Sequence, residues 1–206
     1  IAERIGRPVR LMNDVNAFLC GEARWGALRG VRDGLAIMLG TGVGGALLIG
    51  GQPHQGPRGG AGEIGHTPGY SSHRCTCGGV GHLETLAAGR ALGQRYSELT
   101  GQPGTTGADV AAAARTGDAA AVKVFTDAAR GLAQGIVVAT TLLDLTDVVV
   151  GGGVAGAWDV LGPLVAAALA ADPPVTVPVP GVHRATLASP ALGAAALALD
   201  LKETVS

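Results

Sequence analysis

The chain has 206 residues, with 15 Lys and Arg against 16 Asp and Glu, a formal charge of −1. That length makes one large domain or two small ones with a buried core, and the balanced charge leaves no field for nucleic acid or an anionic membrane surface. Thirty-five glycines without a triplet period, beside 47% hydrophobic and only 3% aromatic residues, exclude a collagen-like rod and a disordered chain and predict an aliphatic, alanine-rich core.

In chain order, Pro8 to Met12 is a short apolar run that predicts a strand delivering Asn13 and Asp14 at its end. Val15 to Ala27 has helical spacing, with Ala17, Cys20, Ala23 and Ala27 on one side. Leu35 to Leu39 and Ala46 to Ile49 predict two strands of a hairpin whose turn is the glycine run Gly40 to Gly45, ended by Gly50-Gly51. Gln52 to Gly81 reads as one long loop, and a loop of that length in a compact domain is functional or tied down. Helices are predicted at Leu83 to Leu99, Ala108 to Arg115 and Ala119 to Leu143, with Thr116-Gly117-Asp118 as break and N-cap. Asp147 to Val150 predicts a buried strand, followed by Gly151-Gly152-Gly153 and a helix ending near Asp172. Pro173 to Gly181 reads as extended, Arg184 to Ala188 as a last strand, and Pro190 as the opening of a final helix. The order predicts a mixed α/β protein. Its first residues, from Ile1, read as the middle of a longer chain, so a missing N-terminal lobe is expected, with no signal peptide and no membrane span.

The pattern G-x-G-x-x-G occurs twice, at Gly40, Gly42, Gly45 and at Gly151, Gly153, Gly156. Neither reads as a dinucleotide fingerprint, which needs strand, glycines, helix and an acidic residue at the tip of a second parallel strand. The first is followed by a strand and suits a hairpin whose N–H groups face a phosphate, with the Thr41 hydroxyl beside them. The second would let the backbone lie flat against a nucleotide base or ribose.

His66, Cys75, Cys77 and His82 form the string H-x8-C-x-C-x4-H inside the long loop. Two thiolates and two imidazoles are a tetrahedral zinc set, and four protein ligands leave no open position, so the site would be structural. His73 is a further candidate that could replace either histidine. Three cysteines make no disulfide framework, and the expected compartment is a reducing cytoplasm.

Five strings occur in order: NDVN at 13–16, GTGVGGALL at 40–48, GGAGEIGH at 59–66, CTCGGVGHLE at 75–84 and VVVGGGV at 148–154. Together they resemble the ROK family of bacterial sugar kinases and sugar-responsive repressors. The resemblance implies an actin/hexokinase-like (ribonuclease H-like) α/β ATPase fold, of which residues 1–206 are mainly the C-terminal lobe. It implies Asp14 as the general base, and Asn13, Asp14, Glu63, His66 and Glu84 as contacts to sugar hydroxyls. His66 would also serve the zinc, Gly40, Thr41 and Gly42 would form a phosphate loop, and Gly151, Gly152 and Gly153 an adenosine loop. ATP with Mg2+ would be the phosphoryl donor, a hexose or N-acetylhexosamine the acceptor, and the protein a homodimer. The expected activity is glucokinase-like transfer to the primary hydroxyl; the alternative is the effector lobe of a transcriptional regulator. Two departures stand out: His82 replaces a cysteine usual in the family, and His66 to Cys75 is one residue shorter. The family's upstream Asp-x-Gly-Gly-Thr strand pair does not occur in these residues.

Overall fold

The computed structural model describes residues 1–6, 9, 11–175, 178–187 and 189–203. Five strands form one mixed sheet in the order β3-β2-β1-β4-β5: β1 Gly34–Leu39, β2 Val43–Ile49, β3 Gln52–His54, β4 Asp147–Gly151 and β5 Gly181–Arg184. β1 runs antiparallel to β2 and β2 to β3, while β1 pairs in parallel with β4, and β4 with β5. The helices are α1 Ala2–Ile5, α2 Asp14–Trp25, α3 Glu84–Ala87, α4 Gly89–Thr100, α5 Gly107–Arg115, α6 Ala119–Leu143, α7 Trp158–Ala171 and α8 Ala191–Glu203.

The sheet's period-two alternation sorts its side chains to two faces. Leu35, Ile37, Leu39, Val148 and Val150 point into the larger core with residues of α3 to α7, including Leu92, Val110, Phe125, Leu132, Ile136 and Leu161. Ala36, Leu48 and Val149 point the other way, onto Val15, Phe18 and Leu19 of α2. On that side α2 also meets α8 at very close range. A side chain on Gly193 would strike the Ala17 carbonyl, so only glycine permits the crossing.

Several expected elements are corrected, each for a reason that lies elsewhere in the chain. β2 begins at Val43, so Gly44 and Gly45 lie inside a strand; Val15 and the Gly62 carbonyl press on them there. The hairpin does not end at Gly50-Gly51: the long loop contributes β3, whose Pro53 is tolerated because β3 is an edge strand, and a short 3-10 turn at Ile64–His66. The helix expected over Leu83 to Leu99 is broken at Ala88, which turns to ψ 146, so that the Gly89 N–H donates to the Gly40 carbonyl at 2.8 Å. The last strand lies at Gly181–Arg184 and not at Arg184 to Ala188, because the N–H groups of Thr186 and Leu187 turn to the carboxylate of Glu22 at 3.1 and 2.9 Å. Glu22 is wholly buried in α2 and also accepts from the Ala27 N–H and the Thr186 hydroxyl. Of the expected opening strand, Pro8 and Arg10 lie outside the described residues, and Val9, Leu11 and Met12 belong to no regular element; Ala188 is likewise outside.

The helix predictions hold closely elsewhere. α5 opens on a capping box between Thr106 and Asp109, and α6 on the Asp118 carboxylate accepting from the Ala121 N–H. By length and a mean hydropathy of 1.7, the stretch Gly153–Ala171 resembles a membrane span. Its Leu161, Val165 and Leu169 are instead packed into the core at helical spacing, as in a buried amphipathic helix.

Candidate active site and metal centre

The β1–β2 turn is the hub of the site. Gly40 closes it by donating to the Gly42 carbonyl at 2.9 Å, and Thr41 stands exposed at its tip. Behind it, the buried carboxylate of Glu84 accepts from the Val43 N–H at 3.1 Å. A side chain at Gly42 would collide with that carboxylate, and one at Gly65 with the Val43 carbonyl. Glycine at those two points is what lets the hairpin, the 3-10 turn carrying Glu63 and His66, and the start of α3 converge.

Asp14 is the first residue of α2 and is exposed, as is Asn13, its N-cap. The Val15 N–H donates to Asn13 Oδ1 at 2.8 Å and lies 2.9 Å from Asp14 Oδ1. Packing of Val15 against Gly44 brings this helix end to the base of β2. Glu63 precedes the 3-10 turn and faces solvent.

Glu84 is the most heavily engaged of the expected sugar contacts. Its Oε1 accepts from Arg90 at 2.6 Å and from Thr76 at 3.0 Å. Burial pushes its carboxyl upward, but the Val43 N–H, Thr76, Cys75 and the Arg90 charge outweigh it and hold the group below the ordinary range. Arg90 reaches onward to the Thr41 carbonyl at 3.1 Å, so one guanidinium ties Glu84, the cysteine loop and the hairpin tip together. Arg90 carries no sequence signal: it is an ordinary exposed helix arginine until the fold brings three segments to it.

The ligand atoms of His66, Cys75, Cys77 and His82 all lie within 4.8 Å of one another, a group able to hold a metal ion. Cys75 Sγ is 3.8 Å from His66 Nδ1, and Cys77 Sγ is 3.2 Å from His82 Nδ1. Ligands on a tetrahedral zinc ion sit about 3.3–3.8 Å apart, so the donor set and its spacing fit. The loop curls through hydrogen bonds from the Cys75 N–H to the Gly79 carbonyl and from the Gly78 N–H to the Cys75 carbonyl, and none of the cysteines is in a disulfide. Burial holds the Cys75 thiol above its usual range. His73 stands outside this group.

Between the hairpin and Gly153 lies a mainly apolar cavity of about 810 Å3, bounded by Gly40, Thr41, Thr106, Phe125, Gly153 and Val154, while Gly151 and Gly152 border a neighbouring one. Among the described residues its lining carries two charged ones, Arg90 beside Thr41 and Arg115. Arg115 is held flat by a bidentate pair with Asp159 at 2.7 and 2.8 Å. The two glycine patterns, remote in sequence, thus face one space. Thr106 and Arg115 were not anticipated: the residues predicted the helix Ala108 to Arg115 but not what its ends line.

The sheet order, the helices on both faces and the nucleotide-sized cavity at the glycine hairpin define an actin/hexokinase-like α/β fold. The model of the ROK family matches residues 1–201, and the chain belongs to that family. The crystal structure of a ROK family glucokinase from Streptomyces griseus, in complex with glucose and AMPPNP, is similar with a TM-score of 0.84 and 32% identity, over 95% of this chain and 70% of that one. A glucokinase of Streptomyces coelicolor is 34% identical over 183 residues, 80% of this chain and 57% of that protein. A putative xylose repressor of Caldicellulosiruptor sp. is 39% identical over 93 residues, 45% of this chain and 23% of that protein. The chain spans about half the length of the curated relatives it matches.

Proposed function

We propose that the protein transfers the γ-phosphoryl group of ATP to the primary hydroxyl of a hexose or N-acetylhexosamine, in the manner of a glucokinase, with residues 1–206 as the C-terminal lobe of its cleft. The observation that carries this reading is the convergence of Asp14, Glu63, His66 and Glu84 on the glycine hairpin that also borders the cavity of about 810 Å3. A pyranose is a ring of hydroxyls that donate and accept, which carboxylates, an amide and an imidazole match. In this reading Asp14 takes the proton of the attacking hydroxyl, while Asn13, Glu63, His66 and Glu84 fix the sugar. Among the described residues Glu84 Oε2 has one protein donor and keeps acceptor capacity for a hydroxyl. The N–H groups and hydroxyl of Gly40, Thr41 and Gly42 hold the phosphates, and Gly151, Gly152 and Gly153 lie against the adenosine. Mg2+ neutralises phosphate charge when bound, and zinc on His66, Cys75, Cys77 and His82 fixes the loop that carries His66. One lobe supplies one wall of a cleft, so these residues alone bind sugar weakly and turn over poorly. The reduced cysteines accord with a cytoplasmic protein.

The test is ADP release by the intact protein across a panel of hexoses and N-acetylhexosamines. Release with one sugar is expected. Sugar binding without release would overturn the kinase reading and favour a sugar-responsive regulator, whose effector lobe shares these motifs. We also propose a homodimer, with the exposed Val138, Leu142 and Leu143 at the end of α6 between copies. Light scattering is expected to give twice the monomer mass, reduced to the monomer in Leu142→Glu; a monomeric wild type would rule this out.

A further inference from the structure

A smaller cavity of about 150 Å3, which shares Arg90 with the nucleotide-sized one, is lined by His73, Arg74, Thr85, Arg90, Gln94 and Arg95. It is predominantly polar, and no carboxylate among the described residues lines it. The carboxylates nearby are already engaged: Glu84 with Arg90 at 2.6 Å, Asp127 with Arg95 at 2.7 Å and with Lys123 at 3.1 Å, and Glu98 with the Gln94 amide at 2.9 Å. Among the described residues three arginines line this small polar space, and the carboxylates that pair with Arg90 and Arg95 stand outside its lining. Arg74 is the least satisfied of the three, its guanidinium donating to the Gly78 carbonyl at 3.3 Å. Arg95 lines the same space with its Nη2 held by Asp127 at 2.7 Å.

We propose that this cavity is an anion site that binds a phosphate group, separate from the nucleotide-sized cavity with which it shares Arg90. Guanidinium forks match two phosphate oxygens at a time, and the Gln94 amide, the Thr85 hydroxyl and the His73 ring supply the remaining polar contacts. The volume takes one tetrahedral oxyanion and excludes a nucleotide. A phosphate ester is admitted only with its organic part outside. The assignment stands on the cavity and its cations and does not need the kinase reading.

The experiment is a titration of the protein with inorganic phosphate and, in parallel, with glucose 6-phosphate, at ionic strength held constant with chloride and followed by thermal midpoint and calorimetry. Two variants leave Arg90 untouched: Arg74→Gln removes a cation from an exposed loop, and Gln94→Glu places a carboxylate in the cavity from the exposed face of α4. Both are checked for an unchanged midpoint without phosphate. Saturable binding is expected in the wild type, weakened at least about tenfold in each variant, through loss of a charge-assisted hydrogen bond in Arg74→Gln and through like-charge repulsion in Gln94→Glu. Variant-sensitive binding of inorganic phosphate assigns the site to the free anion. Variant-sensitive binding of the sugar phosphate alone assigns it to the ester. Absence of binding beyond the chloride control, or binding that neither variant weakens, overturns the proposal, the latter by placing the phosphate beside Thr41.

Discussion

Asp14→Asn is expected to lower kcat for sugar phosphorylation by about 100- to 10,000-fold in the intact protein, with the KM for sugar moving less than about threefold. The substitution is nearly isosteric, and the α2 cap survives it because Asn13 Oδ1 already accepts from the Val15 N–H at 2.8 Å. What is lost is the ability to take a proton, so the effect falls on the step in which the hydroxyl attacks phosphorus. Steady-state kinetics with saturating ATP read it directly. A fall in kcat below about tenfold would move the base elsewhere, with exposed Glu63 the next carboxylate to examine. A raised KM with kcat intact would make Asp14 a binding residue only.

The second large effect is expected from the loop of two cysteines and two histidines. Elemental analysis of the wild type should find about one zinc per chain, and Cys75→Ser should bring it well below one, because a serine hydroxyl does not supply a thiolate. A structural zinc ion contributes about 10–16 kcal/mol of apparent binding free energy to the fold around it. Its loss should release the loop between His66 and His82, seen as faster amide exchange there. Activity should fall by about 10- to 100-fold with it. The reason is positional: Thr76, between the two cysteines, donates to Glu84 and accepts from Arg90, which in turn holds the Thr41 carbonyl. A strong chelator should reproduce the variant, and added zinc should restore the wild type but not Cys75→Ser. A wild type with well under one zinc per chain would remove the metal from the account and leave the four residues a hydrogen-bonded cluster.

Much of this was readable in the residues. The long helix at Ala119–Leu143 declared itself by periodicity and by the Asp118 cap. The strands at Leu35 and Asp147 declared themselves as short apolar runs bounded by turn residues. Both glycine runs and the cysteine–histidine string were visible as unusual residues at short spacing, and the five ordered motifs pointed to the family that the comparisons show. The elements that escaped share one property: their hydrogen-bond partners are far away in sequence. β3 is a polar tripeptide with a proline and is a strand only because the edge of β2 pairs with it. The break at Ala88 exists because Gly89 bonds Gly40, 49 residues earlier. The end of β5 is set by Glu22, about 160 residues before it.

The residues by themselves therefore determined the class of fold and the family, and they nominated the metal-ligand set and the groups proposed to handle a sugar and a nucleotide, because local spacing and ordered motifs carry that information. Only the tertiary structure decided that the two glycine patterns border one cavity, and that Arg90 joins Glu84 to the hairpin tip. It alone gathered Arg74, Arg90 and Arg95 around a second, polar space. The physical reason is that a charged side chain on an exposed helix looks the same in sequence whatever it meets. Its role is fixed by the carbonyls and carboxylates that long-range packing brings within hydrogen-bond reach.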